Sequence, residues 1–147
     1  MAETNGTSTS TLPPEAIAFA TRMYDAARNG QLDIFQQALP AGLPANMTND
    51  KGDSLIMLAA YYGHAPLVRL LIQHGANPNS LNDRGQSPLA GAVYKGEDEV
   101  IEALLEGNAD PDHGDPSAIR AVELFKQEEK WMKKFQEAPG RGKAAAQ

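Results

Sequence analysis

The residues of this sequence that could do chemistry are few, and their spacing argues against a reaction centre. His64, His74 and His113 are the candidates for proton transfer or metal ligation, since imidazole titrates near neutral pH and binds metals well. They lie far apart in the organisation set out below. Asp110, Asp112 and Asp115 form a short acidic cluster that could loosely hold a cation, but the run lacks the turn glycine and terminal glutamate of an EF-hand loop. The chain has 0 cysteines, which removes disulfides and thiolate zinc sites. No Gly-rich phosphate loop, Gly-x-Ser-x-Gly elbow or His-Glu-x-x-His helix occurs. The expectation is a protein with no catalytic residues, no bound metal and no cofactor. The tyrosines are more informative. Three of the 4, Tyr61, Tyr62 and Tyr94, precede a glycine that would reverse the chain. Tyrosine and arginine are enriched at binding hot spots, because they offer a large contact area for little lost freedom. The competing reading is that they pack on loops and serve stability.

The elements that must position these side chains follow from a period of 33 residues. Asn49-Asp50-Lys51-Gly52 returns as Asn82-Asp83-Arg84-Gly85, Ser54 as Ser87, and Ala76-Asn77-Pro78-Asn79 as Ala109-Asp110-Pro111-Asp112. Gly30, Gly63 and Gly96 share the interval, as do Gly42, Gly75 and Asn108. Asparagine is the commonest substitute for glycine where the backbone turns left-handed. Each unit reads as two short helices. Ser54 and Ser87 stand as N-caps of inner helices over about 54–62 and 87–95. Leu55 to Ala60 is apolar on every side, so that helix must be buried between neighbours. Ala90, Gly91 and Ala92 would let adjacent helices approach closely. Pro66 suits the first turn of an outer helix, whose stripe of Leu67, Val68, Leu70, Leu71 and Ile72 leaves Arg69 and Gln73 to water. In the next unit Val100, Ile101, Leu104 and Leu105 repeat that stripe, and Glu97-Asp98-Glu99 favours the helix N-terminus.

The ends of such an array must differ from its middle. Upstream, Pro14 opens a helix that ends at Gly30, followed by a second over Leu32 to Leu39, with Thr21, Arg22 and Asp25 turned to solvent. Downstream, with Ser117 in the role of Ser87, Trp131 and Phe135 take the places of Val68 and Ile72. Lys130 and Lys134 replace Leu67 and Leu71 on the side facing a missing fifth unit. Lys126-Gln127 stands where the helix–helix glycine would be, so residues 116–137 read either as two helices or as one. Expected boundaries are a disordered tail over 1–12, a repeat domain over 13–138 with units at about 14–46, 49–79, 82–112 and 115–137, and a second disordered tail over 139–147.

Composition agrees with a folded domain: 147 residues, 41% hydrophobic. No apolar run approaches the ~20 residues of a membrane span, and the Ser/Thr-rich start lacks the basic and apolar parts of a signal peptide. The expected location is therefore cytoplasmic or nuclear. The net charge of −6 is uneven, with 6 basic against 14 acidic residues over 1–114 and 7 against 5 thereafter. An acidic body argues against nucleic acid as the partner.

On these residues the sequence resembles the ankyrin repeat family. Residues 49–79 match its pattern through Gly52, Ser54, Ala59-Ala60, Gly63-His64, Leu70-Leu71, Gly75-Ala76 and Asn79. Residues 82–112 match through Gly85, Ser87-Pro88-Leu89, Gly96, Leu104-Leu105 and Ala109-Asp110. Met57 and Ala90 stand where the family carries histidine, which weakens its usual bonding between repeats. The resemblance implies an all-α solenoid of about four helix-turn-helix units, two central repeats between N- and C-terminal capping units. It also implies a structural role for His64 and His74, and a concave face that binds a partner protein, the free chain being a monomer. Carried over by position, that face comprises Arg28, Asp50, Lys51, Asp53, Tyr61, Tyr62, Asp83, Arg84, Gln86, Tyr94 and Lys95, with Asn29 extending the row. Asn46 and Asn79 sit where some family members are hydroxylated, although a loop-stabilising asparagine is the simpler reading. The alternative function is a chaperone-like or regulatory subunit shielding a basic client.

Overall fold

A linear array of helix pairs is what these capping and turn residues build. The computed structural model describes residues 12–144; the expected tail residues 1–11 and 145–147 lie outside the described part. Within it run α1 (Pro14–Asn29), α2 (Leu32–Ala38), α3 (Leu55–Tyr61), α4 (Ala65–Gln73), α5 (Pro88–Lys95), α6 (Asp98–Glu106), α7 (Ala118–Leu124) and α8 (Glu128–Gln136). The inner helices stack in chain order, α1 on α3, α3 on α5 and α5 on α7, while α2 packs on α4 and α4 on α6. Beyond the helices, Thr48 and Ser54 form one isolated antiparallel bridge, and there is no extended strand among the described residues.

Local chemistry explains each boundary. The Oγ atoms of Ser54, Ser87 and Ser117 accept from the amides of Met57, Ala90 and Arg120, each at 3.1 Å, so every inner helix after the first has a side-chain cap. Gly30 ends α1 at φ 68°, and any Cβ there would collide with the His64 ring, which lies over it. His64 Nε2 bonds the Arg28 carbonyl at 2.7 Å, the structural histidine that the resemblance implied. Residues 116–137, open from sequence, form two helices. Lys126 takes the left-handed turn itself at φ 58°, as Asn108 does at φ 68°. The strain of roughly 1–2 kcal/mol is offset in part by the Gln127 amide, which donates to the Val122 carbonyl at 2.7 Å.

The core is one continuous cluster running from Met23 through Leu55, Leu71 and Leu104 to Phe135. Two expectations about its downstream end need correction. Lys130 and Lys134 are half exposed but do not simply face an empty fifth position. Their ammonium groups turn back to α6, Lys130 to Asp98 and Lys134 to Glu102 at 2.7 Å, and both flank the Trp131 ring. Long aliphatic stems allow that reach, although exposed pairs of this kind contribute about 1 kcal/mol or less.

The second correction concerns the tail expected from Pro139. Residues 139–144 are not free: they fold back over the turn after α6. The Asp110 carboxylate accepts the Gly142 amide at 2.8 Å and the Ala144 amide at 2.9 Å, and Arg141 reaches Asp112 at 2.8 Å. Gly140 lies so close to the Asn108 carbonyl that a Cβ would collide with it. A composition of Gly, Ala and Lys disguised an anchored strap. Burial of Asp110, 3% exposed, opposes its charge. Amides of Gly142, Asp112 and Ala144, with His113 nearby, more than offset this and hold its carboxyl below the ordinary range. The strap is therefore fully held above the unfolded aspartate value of ~3.9 and released as pH falls through the lower folded value. Protection of the Gly142 and Ala144 amides, relative to their unstructured exchange rates, should be high at neutral pH and fall as acid protonates Asp110; an Asp110→Ala variant should show little protection at either pH.

Candidate interaction groove

The tips of the second and third units are built by two equivalent asparagines. Asn49 Oδ1 accepts from the amides of Lys51 at 2.9 Å and Asp53 at 3.0 Å, which folds the tip that carries Asp50. Asn82 Oδ1 does the same for Arg84 and Gln86, each at 3.0 Å. Its Nδ2 also donates to Gln86 Oε1 at 2.8 Å and, across to the second unit, to Asp53 Oδ1 at 2.9 Å. All the bonding capacity of the Asn82 amide oxygen and nitrogen is used. Backbone bonds from Asp83 N to Lys51 O at 3.1 Å and from Asp115 N to Gly85 O at 2.9 Å continue the connection between tips. The tips are thus locked to one another before any partner arrives.

Facing them, the ends of the inner helices carry an aromatic row. Tyr61 meets Tyr62 edge-on at 5.5 Å and stacks on Tyr94 at 6.4 Å, and Tyr94 meets Phe125 edge-on at 5.2 Å. Tyr62, Tyr94 and Phe125 remain 49%, 58% and 42% exposed, so the row faces solvent instead of the core. Between tips and row lie two adjoining hollows of ≈ 360 Å³ each, with Met57, Tyr61, Arg84 and Gln86 common to both.

Of the residues named from sequence, Arg28, Asp50, Lys51, Asp53, Tyr61, Tyr62, Arg84, Gln86 and Tyr94 line one or both hollows. Asp83 and Lys95 line neither. The Asp83 carboxylate packs over Gly52, and the Lys95 ammonium sits 5.1 Å from the Tyr61 ring centre. Sequence reasoning missed Phe125, Met57 and Asn82. Phe125 stood in the place of Tyr62, but the lysine after it hid the turn. Asn82 was visible in the repeated tetrapeptide, yet only coordinates show it bridging units. Behind the second tip, the Tyr24 hydroxyl donates to the Thr48 carbonyl. Burial, with the charge of Asp50, pushes its pKa up, so it stays protonated.

The remaining polar candidates have structural work. Asn46 Oδ1 accepts the Asn77 amide at 2.7 Å and its Nδ2 donates to the Gly75 carbonyl at 3.1 Å. Asn79, 6% exposed, accepts the Asp110 amide at 2.7 Å. Each asparagine pins one turn to the next. Asp110 and Asp112 are engaged by the strap. Among the described residues no three His, Asp or Glu side chains gather around a possible cation, and no helix is long and apolar enough to cross a membrane.

Comparison with known proteins agrees with this architecture. Residues 23–115, more than half of the chain, match the family model described as ankyrin repeats in three copies. A curated Pseudomonas aeruginosa protein, named as an ankyrin repeat protein, is 49% identical over 59 residues, or 40% of this chain. That stretch is 34% of the relative's own length, so the chain spans about a third of it.

Proposed function

The chain belongs to the ankyrin repeat family, and from that premise we propose that it is a non-catalytic module which holds a partner protein in the groove between its tips and its aromatic row. Ankyrin repeats indicate protein interaction as the activity class, and the partner-contacting face is the part proposed here. One observation carries the reading: Tyr61, Tyr94 and Phe125 form an aromatic row across three units, opposite tips already fixed to one another by part-buried hydrogen bonds. A surface ordered in advance loses little entropy on binding, which favours specific recognition. A basic client is the less favoured occupant, because the lining of the two hollows carries Arg28, Lys51 and Arg84 against Asp50 and Asp53.

The test is retention of partners from the native host by immobilised wild type and by a Tyr61→Ala/Tyr62→Ala/Tyr94→Ala variant. The variant should keep its helical circular dichroism and lose its groove-dependent partners, with any single hot-spot tyrosine costing about 2 kcal/mol of affinity. If a folded variant retains every partner, the groove is not the binding face.

A further inference from the structure

We propose that the hollow over Gly91 receives an apolar or aromatic side chain that sits beside a carboxylate on the partner, with Arg84 holding that carboxylate. This rests on the groove reading above and specifies its ligand chemistry. The first support is Gly91 itself. The sequence had read it as a residue for close helix approach, but a Cβ there would make one ordinary contact, 3.5 Å to the Tyr61 ring, and meet nothing else within 4 Å. It lies mid-helix in α5 without a left-handed φ. Its counterpart one period earlier is Leu58, which is buried. Neither backbone nor packing requires glycine, and glycine inside a helix weakens it relative to alanine. What the missing side chain provides is the open floor of the ≈ 360 Å³ hollow, a volume in the range of ligand sites.

The walls supply the rest. Tyr61, Tyr94 and Phe125 present ring surfaces, and Met57 adds a soft apolar side. Arg84 is the one charged residue lining this hollow and makes no ion pair among the described residues, Asp50 and Asp53 bordering the adjoining hollow instead. A guanidinium that pairs with no carboxylate among the described residues suits an incoming carboxylate and repels a cation, so an aromatic cage for an ammonium group is the wrong reading.

The probes are N-acetyl-phenylalanine and its uncharged amide, titrated into isotope-labelled protein and followed by amide chemical shifts. The acid should bind at roughly millimolar affinity, with shifts centred on Gly91, Tyr94 and Phe125, and about three- to five-fold more tightly than the amide at low salt. Arg84→Gln should abolish that preference. Gly91→Leu should remove binding of both probes, and Gly91→Ala should raise Tm by roughly 3 °C. Equal binding of acid and amide, shifts outside the groove, no shifts, or a lower Tm for Gly91→Ala would each overturn the inference. Loss of native partners by the triple tyrosine variant, together with silence towards both probes, would sink this ligand chemistry alone and leave the groove reading standing.

Discussion

Phe135→Ala is expected to remove about 3–5 kcal/mol of stability, and the damage should be confined to one end of the molecule. Phe135 is fully buried and stacks on Trp131 with ring centres 6.1 Å apart. Truncation leaves a cavity beneath α8, the last helix among the described residues. Each pair of helices in a serial stack touches only its neighbours, so unfolding can begin at an end without engaging the middle. Amide exchange should therefore accelerate in α7 and α8 while α3 and α4 keep most of their protection. Uniform acceleration over all eight helices would mean that the protein unfolds as one block and that the nearest-neighbour account is wrong.

The second large effect concerns Asn82. Asn82→Ala leaves the amides of Arg84 and Gln86 without their acceptor and frees Asp53 and the Gln86 side chain from their donor. Leaving such groups unpaired in a site only 9% exposed should cost about 2–3 kcal/mol. Asn82→Asp separates shape from bonding: it keeps the oxygen that accepts both amides but turns the donor into a second carboxylate against Asp53. It should be no better than alanine near neutral pH, and it should recover as acid protonates the pair. Chemical denaturation at two pH values reads both. If Asn82→Ala proves neutral, the tips are held by backbone bonds alone.

The same asparagine shows what could be read from sequence. Identity at a spacing of 33 made the units visible, and the capping serines, turning glycines and apolar stripes each rest on local rules of backbone and burial that survive folding unchanged. Gly30 and Ser54 do in three dimensions what their types suggest in one. The family resemblance, carried over by position, named eleven groove residues, and nine of them line the hollows. The local rules failed where a residue's task depends on something distant in the chain. Lys126 adopts a glycine's conformation at the turn between α7 and α8, whose apolar residues Val122 and Trp131 both join the one core. Residues 139–144 resemble a loose tail until Asp110 is found beneath them. The lysines of α8 looked like solvent-facing ends until their partners on α6 were located. Gly91 looked like a packing device, and its meaning depends on the empty space above it.

The most direct measurement is photo-crosslinking in extracts of the native host from single reactive side chains placed around the molecule. Positions Asp83 and Lys95 flank the groove, whereas Gln73 and Glu129 are exposed on the outer helices α4 and α8. Covalent partner adducts should form from the first two positions and not from the last two. Adducts from Gln73 or Glu129, with none from Asp83 or Lys95, would place recognition on the opposite side and contradict the account.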